Sequence, residues 1–318
     1  LAAPTGSETD EISHFINRLT FGPIPGEYAR VGSLGVEAFI EEQLTPEKID
    51  DSWCHRALAP YEALNSALDD FKLFGTGLKD HPGEKFDYTD KVLLEQLTRA
   101  TLTRAVFSRR QLYEVMVQFW TDHFNIDPSK GDCKWLKAWD DREVVRRHAL
   151  GSFPAMVRAS ALSPAMLWYL DGRVNKRAKN SDDKPNENYA RELMELHTLG
   201  VHGGYSQADV QEVARCLTGW TVEGTGDGLN ILGNVKFKKE LHDDGPKTVL
   251  GHSIPAGLGE KDLDRILDIV TTHPSTAKYL ATKLCRRFID DNPPAAAIET
   301  VSEAFIRSGG EIKTTLRA

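Results

Sequence analysis

The chain has 318 residues, of which 40% are hydrophobic and 27% charged, and it carries a formal net charge of −8. These proportions belong to a folded globular protein and exclude the disordered and fibrous classes. The acidic balance removes the general cationic field on which non-specific nucleic-acid binding depends, so no nucleic acid is expected as a partner. No apolar run approaches the roughly 20 residues that cross a bilayer, so no membrane span is expected.

The first residues, "LAAPTGS", lack an initiator Met and read as a mature or trimmed start. No signal-peptide core is visible, and a removed signal stays open. Helical periodicity then dominates. Residues 11–19 place Ile12, Phe15, Ile16 and Leu19 on one face, and residues 36–44 do the same with Phe39, Ile40 and Leu44. "TFGPIPGE" between them supplies a Gly/Pro stop and restart, so a helical hairpin is expected to open the structure. Residues 89–124 read as two core helices. "DPSKGD" breaks the pattern before "WLKAWDDREVVRRHALG" resumes it, with Gly151 as its C-cap.

Ser163 caps a helix that begins at Pro164. Residues 173–185 are polar and nearly free of large apolar side chains, which makes them a surface loop. The β signals lie between Thr221 and Ile254, where "VKFKKELH" and "KTVLGHSI" flank "DDGP" in hairpin-like order. Helical patterns return after Gly259, and "GGEIKTTLRA" begins a further amphipathic helix, so the chain reads as trimmed at its C-terminal end. The expected fold is mainly α: one irregular multi-helix domain over residues 1–318, with a small β-hairpin insertion near residues 221–254.

Four cysteines, Cys54, Cys133, Cys216 and Cys285, are scattered without a C-x-x-C or zinc-like spacing, which leaves two disulfides or four buried thiols open. There is no P-loop, no serine-hydrolase elbow and no dinucleotide fingerprint, so no cofactor and no metal are expected.

The stretch "NENYARELMELHTLGVHGGYSQADV", residues 186–210, concentrates the polar chemistry. At about 100° per residue, Glu187, Asn188, Arg191, Glu192 and Glu195 occupy one arc of roughly 140°, while Tyr189, Ala190, Leu193 and Leu196 lie opposite. Glu187–Arg191 and Arg191–Glu195 are i, i+4 pairs, so a salt-bridged exposed ladder explains three of the charges. His197 falls on the apolar arc, turned away from Glu192 and Glu195, which disfavours a metal site on this helix alone. Hydrolases that act on glycosidic bonds need one protonated and one ionised carboxyl, and a neighbouring Arg191 splits such a pair; Glu187 and Glu192 are therefore the acid/base candidates. Ser206 with Asp209 forms a capping box at the next helix.

Together "HFINRLTFGPIPGE", "FWTDHFNI", "NENYARELMELHTLGVHGGYSQADVQEVARCLTGWT", "HDDGPKTVLG" and "HPSTAKYLATKLCRRFI" make the chain resemble the bacterial family catalogued as domain of unknown function 1800, over almost its whole length. The resemblance implies a mainly helical, often exported protein, hence a periplasmic or secreted location with a cytoplasmic one as the alternative. It also implies members longer than this chain, and a gene neighbour of sulfatase-like character as a possible partner. It brings no settled reaction. Its motifs point to His123 and Asn125, Asp171, the set Glu187, Asn188, Arg191, Glu192 and Glu195, then Trp220, His242, Asp243 and Lys247 as residues to examine for substrate contact.

Each also has a structural reading: a helix end for His123 and Asn125, a turn for Asp171 with Gly172, and a loop geometry for "HDDGP". Trp168, Tyr169, Tyr205 and Trp220 offer flat surfaces for sugar rings, although aromatics at helical spacing are more often core. The leading expectation is an extracytoplasmic hydrolase or lyase acting on a polysaccharide. The alternatives are a non-enzymatic binding or assembly partner of a sulfatase-like protein, and a metal-dependent hydrolase drawing ligands from His123, His242 and Asp243.

Overall fold

A computed structural model describes residues 6–66, 90–178, 184–223 and 233–318, with side chains described from Glu11 onward. The first five residues, positions 67–89 with the first position of the two core helices, positions 179–183 of the polar stretch and positions 224–232 of the Gly-rich segment lie outside the described residues. The apolar spacing at Ile12 and Ile16 builds α1 (Gly6–Leu19), and that at Phe39 builds α3 (Val36–Gln43). Between them stands a helix that the Gly/Pro reading missed, α2 (Glu27–Leu34), bounded by Gly26 at φ 83° and Gly35 at φ 87°. Val31 is its one buried apolar residue, so no periodicity betrays it, and the expected hairpin is a three-helix start.

The central body comprises α4 (Ser52–Leu58), α5 (Asp90–Phe107), α6 (Gln111–His123), α7 (Cys133–Asp140), α8 (Phe153–Ala161), α9 (Pro164–Tyr169), α10 (Asn188–Glu192) and α11 (Gln207–Cys216). Two of these helices continue into wide π turns, α7 through Asp141–Arg146 and α10 through Leu193–His197. After the strands come α12 (Lys261–Thr271), α13 (Pro274–Phe288), α14 (Ala295–Arg307) and α15 (Ile312–Arg317). The serine caps are in place: Ser163 Oγ accepts from Met166 N, and Ser206 with Asp209 forms the reciprocal capping box.

One cluster of buried side chains runs from Leu44 to Ile312. At its centre Trp120 and Phe153 have ring centroids 5.7 Å apart, and the Trp120 indole donates to Ala149 O at 3.0 Å. The indole thus buries a large apolar surface while satisfying its one donor. The C-terminal part is stitched to this centre by the backbone: Phe153 N donates to Gly310 O at 2.9 Å and Ile312 N to Gly151 O at 2.8 Å.

The β content is small, as expected, but its pairing differs. β1 (Trp220–Val222) is antiparallel to β2 (Val235–Phe237), and β3 (Lys247–Val249) to β4 (His252–Ile254). "DDGP" therefore links two separate hairpins rather than turning one, because its polar side chains are engaged elsewhere. All four cysteines are buried and free, and burial raises each thiol pKa, so the alternative of four buried thiols is the one found.

Candidate functional site

Asn175 organises the entry to α10. It is buried, its Nδ2 donates to Ala214 O at 2.9 Å, and its Oδ1 accepts from Asn186 N at 2.9 Å. Asn186 Oδ1 in turn accepts from Asn188 N at 2.9 Å, so side chains replace part of the missing helical bonding at this N-terminus. Sequence reasoning did not single out Asn175, since one asparagine in a polar stretch gives no periodic signal.

The ladder expected on α10 is present and extends to α11. Arg191 bonds Glu187 Oε2 at 3.1 Å, Glu195 Oε1 at 3.4 Å and Gln207 Oε1 at 2.9 Å, while Gln207 Nε2 donates to Glu187 Oε2 at 2.7 Å. Glu192 stands at the edge of this network without an ion pair to a described residue. Partial burial and the nearby Glu195 charge raise its carboxyl pKa against the pull of Arg191. Beside them the Tyr205 hydroxyl, within hydrogen-bonding reach of Glu195, is pushed up to about 12 by burial and that carboxylate.

A second polar group adjoins the first through Asn188. Asp171 occupies the left-handed region at φ 60°, which turns its carboxylate to Lys130 Nζ at 2.9 Å. Asn188 Nδ2 donates to Leu170 O at 3.1 Å and lies 3.5 Å from Asp171 Oδ2. Lys130 also donates to Tyr169 O, and the Arg173 guanidinium lies 3.8 Å over the Trp168 ring. Asp171, Glu187, Asn188, Arg191, Glu192 and Glu195 thus form one polar surface. Ser129, on the loop that carries Lys130, and Lys134, near the start of α7, line an open cleft of about 710 Å³, whose far wall is Asp90, Glu95 and Arg99 on α5.

The other residues examined lie apart from that surface. His123 is buried behind α10: its Nε2 donates to His197 O at 3.0 Å and its Nδ1 accepts from Lys283 Nζ at 2.8 Å. Burial and the Lys283 charge hold His123 well below the ordinary histidine range, and hold His197 down at about 3. Asn125 is exposed just beyond α6. Trp220 packs on Phe237 with centroids 5.3 Å apart, and its buried indole nitrogen has no hydrogen-bond partner among the described residues.

His242, Asp243 and Lys247 form a lock of their own. Asp262 Oδ2 takes Lys247 Nζ at 2.6 Å and His242 Nε2 at 3.2 Å, with His242 Nδ1 lying 2.8 Å from Thr218 O. Burial alone would raise the Asp262 carboxyl pKa, but hydrogen bonds from His242 and Lys247 hold it below the usual range. Asp243 makes a two-pronged pair with Arg215 at 2.8 and 3.0 Å. The side chains of His242 and Lys247 are 0% exposed and turned onto Asp262, apart from the α10 surface. Helix α11 serves both groups, holding the α10 ladder through Gln207 and Asp243 through Arg215, about 12 Å further along its axis. Among the described residues no three His, Cys, Asp or Glu side chains are grouped as a metal ion would require. His123 and His242, whose ring nitrogens are engaged in different clusters, do not supply the shared ligand set imagined for a metal-dependent hydrolase.

A mainly helical body with a charged helix face laced to its neighbour defines the class of this protein. Residues 14–318 match the family model described as "Protein of unknown function (DUF1800)", and the chain belongs to that family. No curated protein and no solved structure matches it. Among the described residues no helix is long and apolar enough to cross a membrane.

Proposed function

We propose that the chain is a hydrolase or lyase acting on a polysaccharide outside the cytoplasm, with Glu192 as proton donor and Glu187 as the carboxylate that activates water or takes a proton. The observation that carries this reading is the contrast on one helix between Glu192, raised by burial and by Glu195, and Glu187, tied as a carboxylate to Arg191 and Gln207. On a helix the two positions stand about 7.5 Å apart along the axis and about 140° apart around it, on either side of Arg191. Asp171, Asn188 and Glu195 supply hydrogen bonds for sugar hydroxyls, and an open cleft of about 710 Å³ lies beside Lys134.

The test is a reducing-end assay against neutral and acidic polysaccharides. Glu192→Gln and Glu187→Gln should each lower turnover by about 100-fold or more, with the far-UV spectrum retained. Unchanged turnover in both variants on any substrate found would end this assignment.

A second reading, an assembly partner for a sulfatase-like protein, is favoured by Leu196 and Val201, which stand 46% and 60% exposed next to the charged ladder. Leu196→Glu should abolish co-elution with such a partner and leave any polysaccharide turnover intact. Co-elution that survives Leu196→Glu would remove this second reading.

A further inference from the structure

Trp168, near the end of α9, is held at an edge and on a face. Gly131, at φ 54°, brings its backbone so near the indole that a Cβ there would lie 2.5 Å from Trp168 Nε1. The Arg173 guanidinium lies over the ring, 3.8 Å from its centre. The left-handed turn at Asp171 and the 3-10 turn Gly172–Val174 fold the chain back so that Arg173 reaches the helix that precedes it. Gly131 follows Lys130, whose ammonium is bonded to Asp171, so the stack adjoins the polar surface of α10 through one step of backbone.

The stack fixes the plane of this guanidinium without satisfying its donors. Among the described residues none forms a hydrogen bond or an ion pair with the Arg173 side chain, whereas Lys130, Lys134 and Arg191 each hold a carboxylate. Asp132 is the nearby acid; it makes no ion-pair contact with Arg173, and burial raises its carboxyl pKa against the pull of Lys134 and Arg173. Arg173 is half-buried and its Nε is buried and unpartnered, so the edge left to solvent is the fork of its two terminal nitrogens. That fork fits an oxyanion by two parallel hydrogen bonds, and a guanidinium already stacked on an indole loses less freedom in forming them than a mobile one.

We propose that the Trp168–Arg173 stack is a subsite for the acidic group of an anionic polysaccharide, a uronate carboxylate or a sulfate ester held end-on by the two terminal nitrogens of Arg173. The proposal rests on the polysaccharide reading for its class of ligand and adds the charge that the ligand carries. The chain's net charge of −8 opposes any polyanion at long range, so affinity for one has to come from a local contact of this kind. Asp171 and Glu187, the carboxylates nearest in the chain to the subsite and to α10, are already neutralised by Lys130 and Arg191.

Isothermal titration of the full chain with polygalacturonate and its fully methyl-esterified form, and with dextran sulfate and dextran, tests the proposal. At least one polyanion should bind about tenfold or more tightly than its neutral counterpart, the difference made by one charge-assisted contact. Arg173→Gln should erase that preference, and the polymer it affects identifies the group as carboxylate or sulfate ester. Trp168→Leu, which keeps the charge and removes the platform, should reduce the preference severalfold. Lys176→Gln, which removes an exposed charge close by in the chain, should leave it intact, with the far-UV spectrum unchanged in all three variants. Glu192→Gln should also keep the preference, so turnover lost there and affinity lost in Arg173→Gln report separately on the catalytic reading and on this one. Equal affinity for charged and neutral polymers, a preference that survives Arg173→Gln, or one that falls as far in Lys176→Gln, would overturn the proposal.

Discussion

His123 and His197 show how a residue's neighbours set its chemistry. His123 is neutral because a carbonyl takes its Nε2 proton and the Lys283 ammonium occupies Nδ1, and His197 is held at about 3 by burial and the same ammonium. A histidine whose folded-state pKa is depressed binds fewer protons folded than unfolded, so stability rises with pH between the two values. The contribution is complete above about 6.5 and is lost as pH falls through the window toward 3. Thermal unfolding followed between about pH 7 and pH 4 should therefore show a falling Tm, with a shallower slope in His197→Asn. An equal slope in that variant would assign the effect to other groups. The inward placement of His197 was legible from its helical position, since it falls on the apolar arc. Its partner Lys283 was not, because a contact between residues so distant in sequence leaves no periodic trace.

At the scale of elements, the two π turns explain where sequence reading loses its grip. A uniform 100° wheel puts Leu196 with Leu193 on the inner face, yet Leu196 is 46% exposed and Met194 is 0% exposed. The π turn Leu193–His197 widens the helix there, and the projection misplaces Met194 and Leu196 while Leu193, Glu195 and His197 keep the faces it gave them. The other π turn carries Arg146 into a nearly enclosed pairing with Glu114 at 2.7 and 3.1 Å. Wide turns of this kind often lie at functional sites, and the one after α10 lies next to the candidate carboxylates. Met194→Ala should cost about 2–5 kcal/mol in urea unfolding, whereas Leu196→Ser should change stability by less than about 0.5 kcal/mol. A regular helix would give the opposite order, so the pair of variants discriminates between the two geometries.

For the whole molecule, the helical class and the family motifs were readable from periodicity and from quoted stretches, while the way the strands are fastened was not. Strand propensity placed β structure between residues 221 and 254. Which strand pairs with which depends on tertiary anchors such as Asp262, which lies on a helix outside that segment. This carboxylate ties the second hairpin to α12 through Lys247, and removing it leaves a buried ammonium without its counter-ion. Asp262→Ala should lower unfolding free energy by about 3–5 kcal/mol, and Asp262→Leu combined with Lys247→Met should recover most of that loss. If Asp262→Ala unfolds at the wild-type urea midpoint, the lock contributes no net stability. The two glutamates were picked out by spacing alone, but the tie that holds Glu187 as a carboxylate rests partly on Gln207, which arrives from the next helix, and the rise of Glu192 on its burial in the fold.

The hydrogen bond between Lys283 and His123 joins positions 160 residues apart. A chain still emerging from the ribosome has the histidine long before it has the lysine, and until the lysine arrives the imidazole is hydrated and free to take up a proton. Closure of the interior is thus a late event in biosynthesis, one that selects the neutral ring from a mixture of protonation states. Refolding from denaturant should then slow as the medium is acidified, because an ever smaller share of chains carries the ring in the form the core accepts.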